Sequence, residues 1–298
     1  TTLIMFLIKW NMVLNDEVKK RTKDLRESNR QLSLSNQEIA LANEELKVHD
    51  KMQKDFINVA SHEIKTPIQA ILTFSQLLQR YPERQKEFTP AISRNSLRLQ
   101  KLSNDILDVA KIESKSFKLN KEIFDLNEVI SNIVEDYKTI IIKENCRTKL
   151  YFKSSKELLL VQADKERVAG VISNLLSNAI KFTKDGEIFV SLEKKNNNNN
   201  STNNNNNNNN NYVLVTVRDT GTGIDSEVLP KIFSKFTTKS FEGLGLGLYI
   251  SKNIVEAHGG KIWAENESNN KGSSIGAIFY FTLPLITSNM ASNNKIDK

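Results

Sequence analysis

Apolar positions change period twice along the chain. Between residues 15 and 50 there is no glycine or proline, and Val18, Leu25, Leu32, Ile39 and Leu46 recur every seventh residue. That is the spacing of a coiled-coil seam. The companion positions, Thr22, Asn29, Asn36 and Asn43, are polar, so the pattern predicts a marginal zipper that buries about half the usual apolar surface. Residues 51–80 and 87–114 then keep helical spacing. Ile57, Ala60, Ile64, Ile68, Ile71 and Leu78 mark the first; Phe88, Ile92, Leu99, Leu102, Ile106 and Val109 mark the second. Joined by "YPERQK", they predict an antiparallel hairpin over 51–115. One hairpin covers its stripe poorly alone, so two copies are expected to pair as a four-helix bundle.

From about residue 118 alternation replaces helical spacing. "KLYFK", "LLLVQA", "EIFVSLE", "YVLVTVRD", "KIWAE" and "AIFYFTL" read as strands, with helices near 127–142, 164–182 and 245–258. The expectation is an α/β domain over 118–286 with a largely antiparallel or mixed sheet. The asparagine tract at 196–211 lies between two strands and reads as a disordered hairpin loop; 287–298 reads as a loose tail.

Charge refines the ends. The net charge is +7 over 298 residues, with Lys9, Lys19, Lys20, Arg21, Lys23 and Arg26 gathered around and after the apolar run 3–14. Twelve residues fall short of the ~20 a spanning helix needs. The chain starts with Thr, so 1–14 reads as the cytoplasmic end of a transmembrane helix cut from something longer. The basic cluster would place everything after about residue 15 on the cytoplasmic side of the cell membrane. No stripe of interleaved basic and aromatic residues and no zinc-finger spacing points to nucleic acid. A single cysteine, Cys146, excludes an internal disulfide.

Candidate chemistry begins at "SHEIKTPIQA". On a helix of ~100° per residue, His62 lies ~160° from both Ala60 and Ile64 and so shares a polar face with Thr66, Gln69 and Thr73. An exposed ring beside an acid, Glu63, suits a reacting imidazole as well as an ordinary surface histidine. Pro67 removes the helical partner of the Glu63 carbonyl and predicts a bend there. Farther on, "NLLSNAIKFT" sets Asn174, Asn178 and Lys181 on one helix face, opposite Ile172, Leu175 and Ala179. Two amides and an ammonium there could hold a hydrated Mg²⁺ and phosphates. "DTGTGI" (219–224) closes a strand and "GLGLGL" (243–248) opens a helix, where free N–H groups favour phosphate. Neither is a Walker or Rossmann loop. Between them "KIFSKFTTKSFE" reads as a lid. His258, before "GG" at a helix end, is expected to be structural, as a cation against the helix dipole.

The ordered series "SHEIKTP", "NLLSNAIKFT", "DTGTGI", "FSKF" and "GLGLGL" resembles the sensor histidine kinases of two-component signalling. The boxes match that family's phosphoacceptor, N, first glycine, phenylalanine and second glycine boxes across about 50–286. The resemblance implies a multidomain protein: an all-α dimerisation hairpin followed by an α/β sandwich ATP-binding domain, behind a membrane-proximal coiled-coil linker at 15–50. It implies that His62 attacks the γ-phosphate of ATP with Glu63 as general base, and that Thr66 positions water for dephosphorylating a response regulator. Asn178 would ligand Mg²⁺ with Asn174 in support, Lys181 would face the phosphates, and Asp219 would read the adenine amine. Gly221 and Gly223 would shape one turn, and Gly243, Gly245 and Gly247 the hinge behind the lid, with Lys239 a further phosphate contact. Leu244 stands where relatives commonly carry a small polar residue. The implied partners are a second copy and a response regulator whose aspartate takes the phosphoryl group. Two other readings compete. Gyrase-type ATPases hydrolyse ATP with a glutamate where this chain has Asn174, an amide that cannot take a proton from water. A membrane-tethered dimeric scaffold with an inactive nucleotide domain would sit more easily with loss of His62 or Asp219, and both are present.

Overall fold

A computed structural model describes residues 2–143, 147–195, 211–237, 244–268 and 274–286. The chain divides into two compact units, Thr1–Ser61 and His62–Lys298. Cys146, most of the asparagine tract, Lys239, Gly243 and the tail at 287–298 lie outside the described residues.

The first unit is helical throughout its described residues, within helix α1 (Thr2–Arg80). Val18, Leu25, Leu32, Ile39 and Leu46 are exposed, as are Leu34, Leu41 and Val48 and the run Ile4–Leu14. Among the described residues no helix is long and apolar enough to cross a membrane.

In the second unit α1 continues through Pro67, which is buried, and ends at Arg80. The proline expected to bend the helix does not interrupt it. A one-turn 3₁₀ segment, Pro82–Arg84, leads into α2 (Gln85–Glu113). Phe88, Ala91, Leu102 and Val109 are buried along α2, and Phe74 meets Phe88 with ring centroids 6.0 Å apart. The expected stripe of the first helix is only partly covered: Ile64 and Ile71 are half-buried, while Ile68 stands in water. Ile57, in the first unit, is exposed too.

The α/β region follows as β1 (Glu122–Asp125), α3 (Leu126–Lys143), β2 (Lys149–Lys153), β3 (Leu160–Ala163), α4 (Lys165–Phe182), β4 (Glu187–Lys195), β5 (Tyr212–Asp219), α5 (Gly247–Ala257), β6 (Ile262–Ser268) and β7 (Ser274–Pro284). The main sheet has the order β2-β4-β5-β7-β6, parallel only between β2 and β4. It is therefore mixed, as the alternation predicts. β1 and β3 form a separate antiparallel pair. The alternation arises because each long strand buries one side. In β5, Val213, Val215, Val217 and Asp219 point inward while their neighbours are half-exposed. Ile188, Val190, Phe279, Phe281 and Leu283 continue that layer. The inner faces of α3, α4 and α5 complete it, with Leu126, Ile130, Val134, Ile172, Leu175, Leu176 and Ile254 buried. The core therefore sits between the three helices and one face of the sheet, which fixes the inward side of α4 and turns its polar ridge outward.

His258 differs from expectation in its charge. It is buried, Nε2 accepts a hydrogen bond from the Asp164 N–H at 2.9 Å, and Nδ1 lies 2.7 Å from the Ile254 carbonyl. Nε2 must therefore be unprotonated and Nδ1 must donate. Burial pushes its pKa down. It ties the end of α5 to the start of α4 as a neutral ring, not as a cation on the helix dipole.

Candidate functional site

Most of the residues named from the two glycine-rich boxes and from α4 line one cleft of about 1050 Å³, with Gly221 just outside its lining. α4 contributes Asn174, Asn178, Lys181 and Phe182; the end of β5 contributes Asp219; the following turn contributes Thr222 and Gly223; the start of α5 contributes Gly247, preceded by Gly245. Helical spacing puts the three α4 polar groups on one ridge because their opposite side is core. α4 itself starts at an N-cap, Asp164, whose carboxylate accepts from the Arg167 N–H at 3.1 Å and the Asn120 N–H at 2.9 Å.

Asp219 is buried where it lines the cleft. Its Oδ1 accepts from the N–H of Gly221 at 2.9 Å. Burial raises its pKa, the hydrogen bonds from the Gly221 and Ala277 backbone oppose that rise, and Glu267 adds to it. A largely buried carboxylate held by backbone donors presents its remaining lone pairs to an incoming donor, which suits the recognition of an amine. Gly245 has φ +65°, and a Cβ there would meet the Phe236 and Thr237 backbone at 2.9 Å. Gly247 is needed for close approach: a Cβ would run into the Asn174 amide oxygen. That amide in turn donates to the Ser251 hydroxyl at 3.0 Å. Asn174 thus anchors the start of α5 against α4 as well as lining the cleft.

The expected lid is partly packed. Phe233 meets Phe279 edge-on with centroids 6.4 Å apart, Ile232 is buried, and Lys235 pairs with Glu113 on α2. Leu244, at the position where relatives commonly carry a small polar residue, is buried and lines the cleft.

His62 stands apart from that cleft. Its side chain is 80% exposed, and it borders a shallow groove with Lys65, Thr66, Gln69, Thr73 and Phe74. This agrees with the predicted polar face. The Thr66 hydroxyl donates to the His62 carbonyl at 3.1 Å. The Glu63 side chain is buried and bound to Arg98 of α2 at 2.8 Å, and one of its oxygens lies 4.0 Å from His62 Nδ1. In this arrangement the acid braces the hairpin more closely than it contacts the ring.

Several neighbours carry no motif that would single them out. Arg98, Lys101, Leu102 and Asp105 of α2 line the nucleotide-box cleft. Asp108 pairs with Arg167 at the head of α4, whose guanidinium also lies 5.1 Å from the Phe117 ring. The buried Thr183 hydroxyl, beside Gly221, has no hydrogen-bond partner among the described residues. Ion pairs between residues some tens of positions apart leave no periodic trace. Along α2 the charges fall in blocks, Arg94, Arg98 and Lys101 and then Asp105 and Asp108, a pattern that an ordinary solvated helix face also carries.

Comparison with known families decides the relationship. The model of the His Kinase A (phospho-acceptor) domain matches residues 52–115, and that of the histidine kinase-, DNA gyrase B-, and HSP90-like ATPases matches 163–287. The chain belongs to the sensor histidine kinases of two-component systems. Among solved structures, full-length ShkA in complex with AMPPNP is 23% identical, with a TM-score of 0.56, over 79% of this chain and 46% of that one. The Acinetobacter baumannii histidine kinase AdeS is 20% identical, TM-score 0.54, over 76% of this chain and 98% of that one. At these identities the likeness is one of fold. Histidine kinase ThkA in complex with the response regulator protein TrrA is 29% identical, TM-score 0.50, over 76% of this chain and 60% of that one. The chain thus spans about half the length of full-length ShkA.

Proposed function

We propose that the chain is an ATP-dependent autokinase that phosphorylates His62 and passes the phosphoryl group to an aspartate of a separate response regulator. The observation that carries this reading is the convergence of Asp219, Asn178, Lys181 and two glycine turns on one cleft, in a chain that also holds an exposed imidazole on a polar helix face. Asp219 would accept from the adenine amine. The free N–H groups at the start of α5 and the Lys181 ammonium would meet the phosphates. His62 would attack the γ-phosphorus in line, its N–P bond forming as the bond to ADP breaks.

The residues fit Mg²⁺ in one limited sense. No group of three or more metal-ligating His, Cys, Asp or Glu residues occurs among the described residues. Asn178 offers an amide oxygen in the cleft, which suits a hard cation that keeps waters and is carried by the nucleotide. Bound there, Mg²⁺ would neutralise phosphate charge; Asn178 would hold it.

Incubation with γ-labelled ATP and Mg²⁺ tests the reading. Acid-labile, alkali-stable label is expected, absent in His62→Gln and strongly reduced in Asp219→Asn and Asn178→Ala. Label that survives His62→Gln would overturn the site. The neighbourhood of Thr66 and His62 in one groove supports a second activity, dephosphorylation of the regulator. Thr66→Ala is expected to remove it while leaving autophosphorylation. The ThkA complex with TrrA supports a regulator as partner. The exposed apolar faces support pairing with a second copy and a coiled-coil linker, and the exposed run Ile4–Leu14 followed by basic residues supports attachment at the cytoplasmic face of a membrane.

A further inference from the structure

The nucleotide cleft has a wall that its own domain does not supply. α2 belongs to the hairpin, yet Arg98, Lys101 and Asp105 line the same void as Asn178 and Lys181. These positions are three to four apart and so share one helix face. α2 also packs against α5, the helix whose N-terminus opens on the cleft at Gly247. Two ion pairs hold the arrangement, Asp108 with Arg167 and Glu113 with Lys235. Lys101 is exposed on the cleft side, where its charge acts on Asp105.

We propose that α2 closes the nucleotide site with a cationic wall, Lys101 foremost with Arg98 beside it, that contacts the polyphosphate of a bound nucleoside triphosphate. The inference rests on the nucleotide-binding reading above. A polyanion in this cleft meets Lys101 and Arg98 from the hairpin, the latter already paired with Glu63, in addition to Lys181, and it faces three acids, Asp105 beside Lys101 and Asp219 and Asp225 from the α/β side. Because the wall exists only while α2 is docked, binding of a triphosphate strengthens docking by the same factor that docking strengthens binding. Nucleotide occupancy is thereby reported to the hairpin that carries His62. A nucleoside monophosphate, which reaches the base-reading end through Asp219 but has little phosphate to offer, would leave docking unchanged.

Titration calorimetry of the whole chain with ATP, ADP and AMP tests this. Lys101→Ala is expected to weaken ATP binding about three- to fivefold, the size of a partly exposed charge contact, and to leave AMP binding unchanged. Lys101→Arg should restore ATP affinity, and Asp105→Asn should raise it. Amide exchange along α2 should slow with ATP but not with AMP. Equal ATP affinities in Lys101→Ala and the parent would overturn the proposal, as would a loss shared equally by ATP and AMP. A parent chain that binds no adenine nucleotide, or binds it equally well as Asp219→Asn, overturns the nucleotide reading instead.

Discussion

Two titratable residues drawn out of water give the fold opposite responses to acid. Asp105 is pushed up to about 6, chiefly by burial, with Lys101 lowering and Asp108 raising it. Between its unfolded value of about 4 and that point the native state binds more protons than the unfolded chain. Its contribution is therefore complete at lower pH and lost as pH rises through about 6. Asp105→Asn is expected to remove that dependence and, at pH 7.5, to stabilise the chain by about 1–2 kcal/mol after allowance for solvent screening. Urea unfolding at pH 5 and pH 7.5 measures both. His258 acts in the other sense. Its folded pKa is lowered, so the unfolded chain takes up the proton first, and stability falls as pH drops below about 6.5. His258→Ala should abolish that acid loss and cost roughly 1–3 kcal/mol at neutral pH, because the Asp164 N–H loses its acceptor. The histidine's structural role is legible from its place before two glycines. Its neutrality is not, since the acceptor duty of Nε2 arises from a backbone N–H 94 residues away.

Among the elements, α2 ends in a way that invites substitution. Lys115 has φ +53°, its N–H bonds the Ile112 carbonyl at 3.1 Å, and the Ser116 N–H bonds the Lys111 carbonyl at 3.0 Å. That is the Schellman closure, whose left-handed position glycine fills without a Cβ penalty. Lys115→Gly is expected to stabilise the chain by about 1 kcal/mol, less the added entropy of the unfolded glycine. A raised urea midpoint at constant slope would bear it out. The long strands and the three helices of the α/β region are legible in the sequence, because each buries one side and β5 alternates along its whole length. β1 leaves no such trace. It has four residues, Glu122–Asp125, and its pattern is set by pairing with β3 rather than by burial on the main sheet. Gly245 and Gly247 stand out in the sequence as glycines that matter. What each avoids, the Phe236–Thr237 backbone and the Asn174 amide, depends on how α5 meets α4 and the lid.

At the scale of the whole molecule, the hairpin leaves apolar surface that one chain does not cover. Ile68, Leu72, Leu97 and Leu107 are 40%, 51%, 63% and 53% exposed. Completing the burial of a half-exposed aliphatic side chain is worth roughly 1 kcal/mol. Eight such side chains in a pair of chains would supply roughly 8 kcal/mol, within the range of about 4–15 kcal/mol that association costs. These positions alone thus leave a bundle marginal, and the seam from Val18 to Leu46, also exposed, would have to contribute the rest. Pairing should accordingly be sensitive to a single charge. Leu72→Glu, at an exposed site whose change leaves the core of the chain intact, is expected to shift sedimentation at micromolar concentration from two chains to one. ATP affinity should persist, since Asp219, Asn178 and Lys181 converge within a single chain. A Leu72→Glu chain that still sediments as a pair would place the interface elsewhere, and loss of ATP binding with pairing would mean that the cleft needs the second copy.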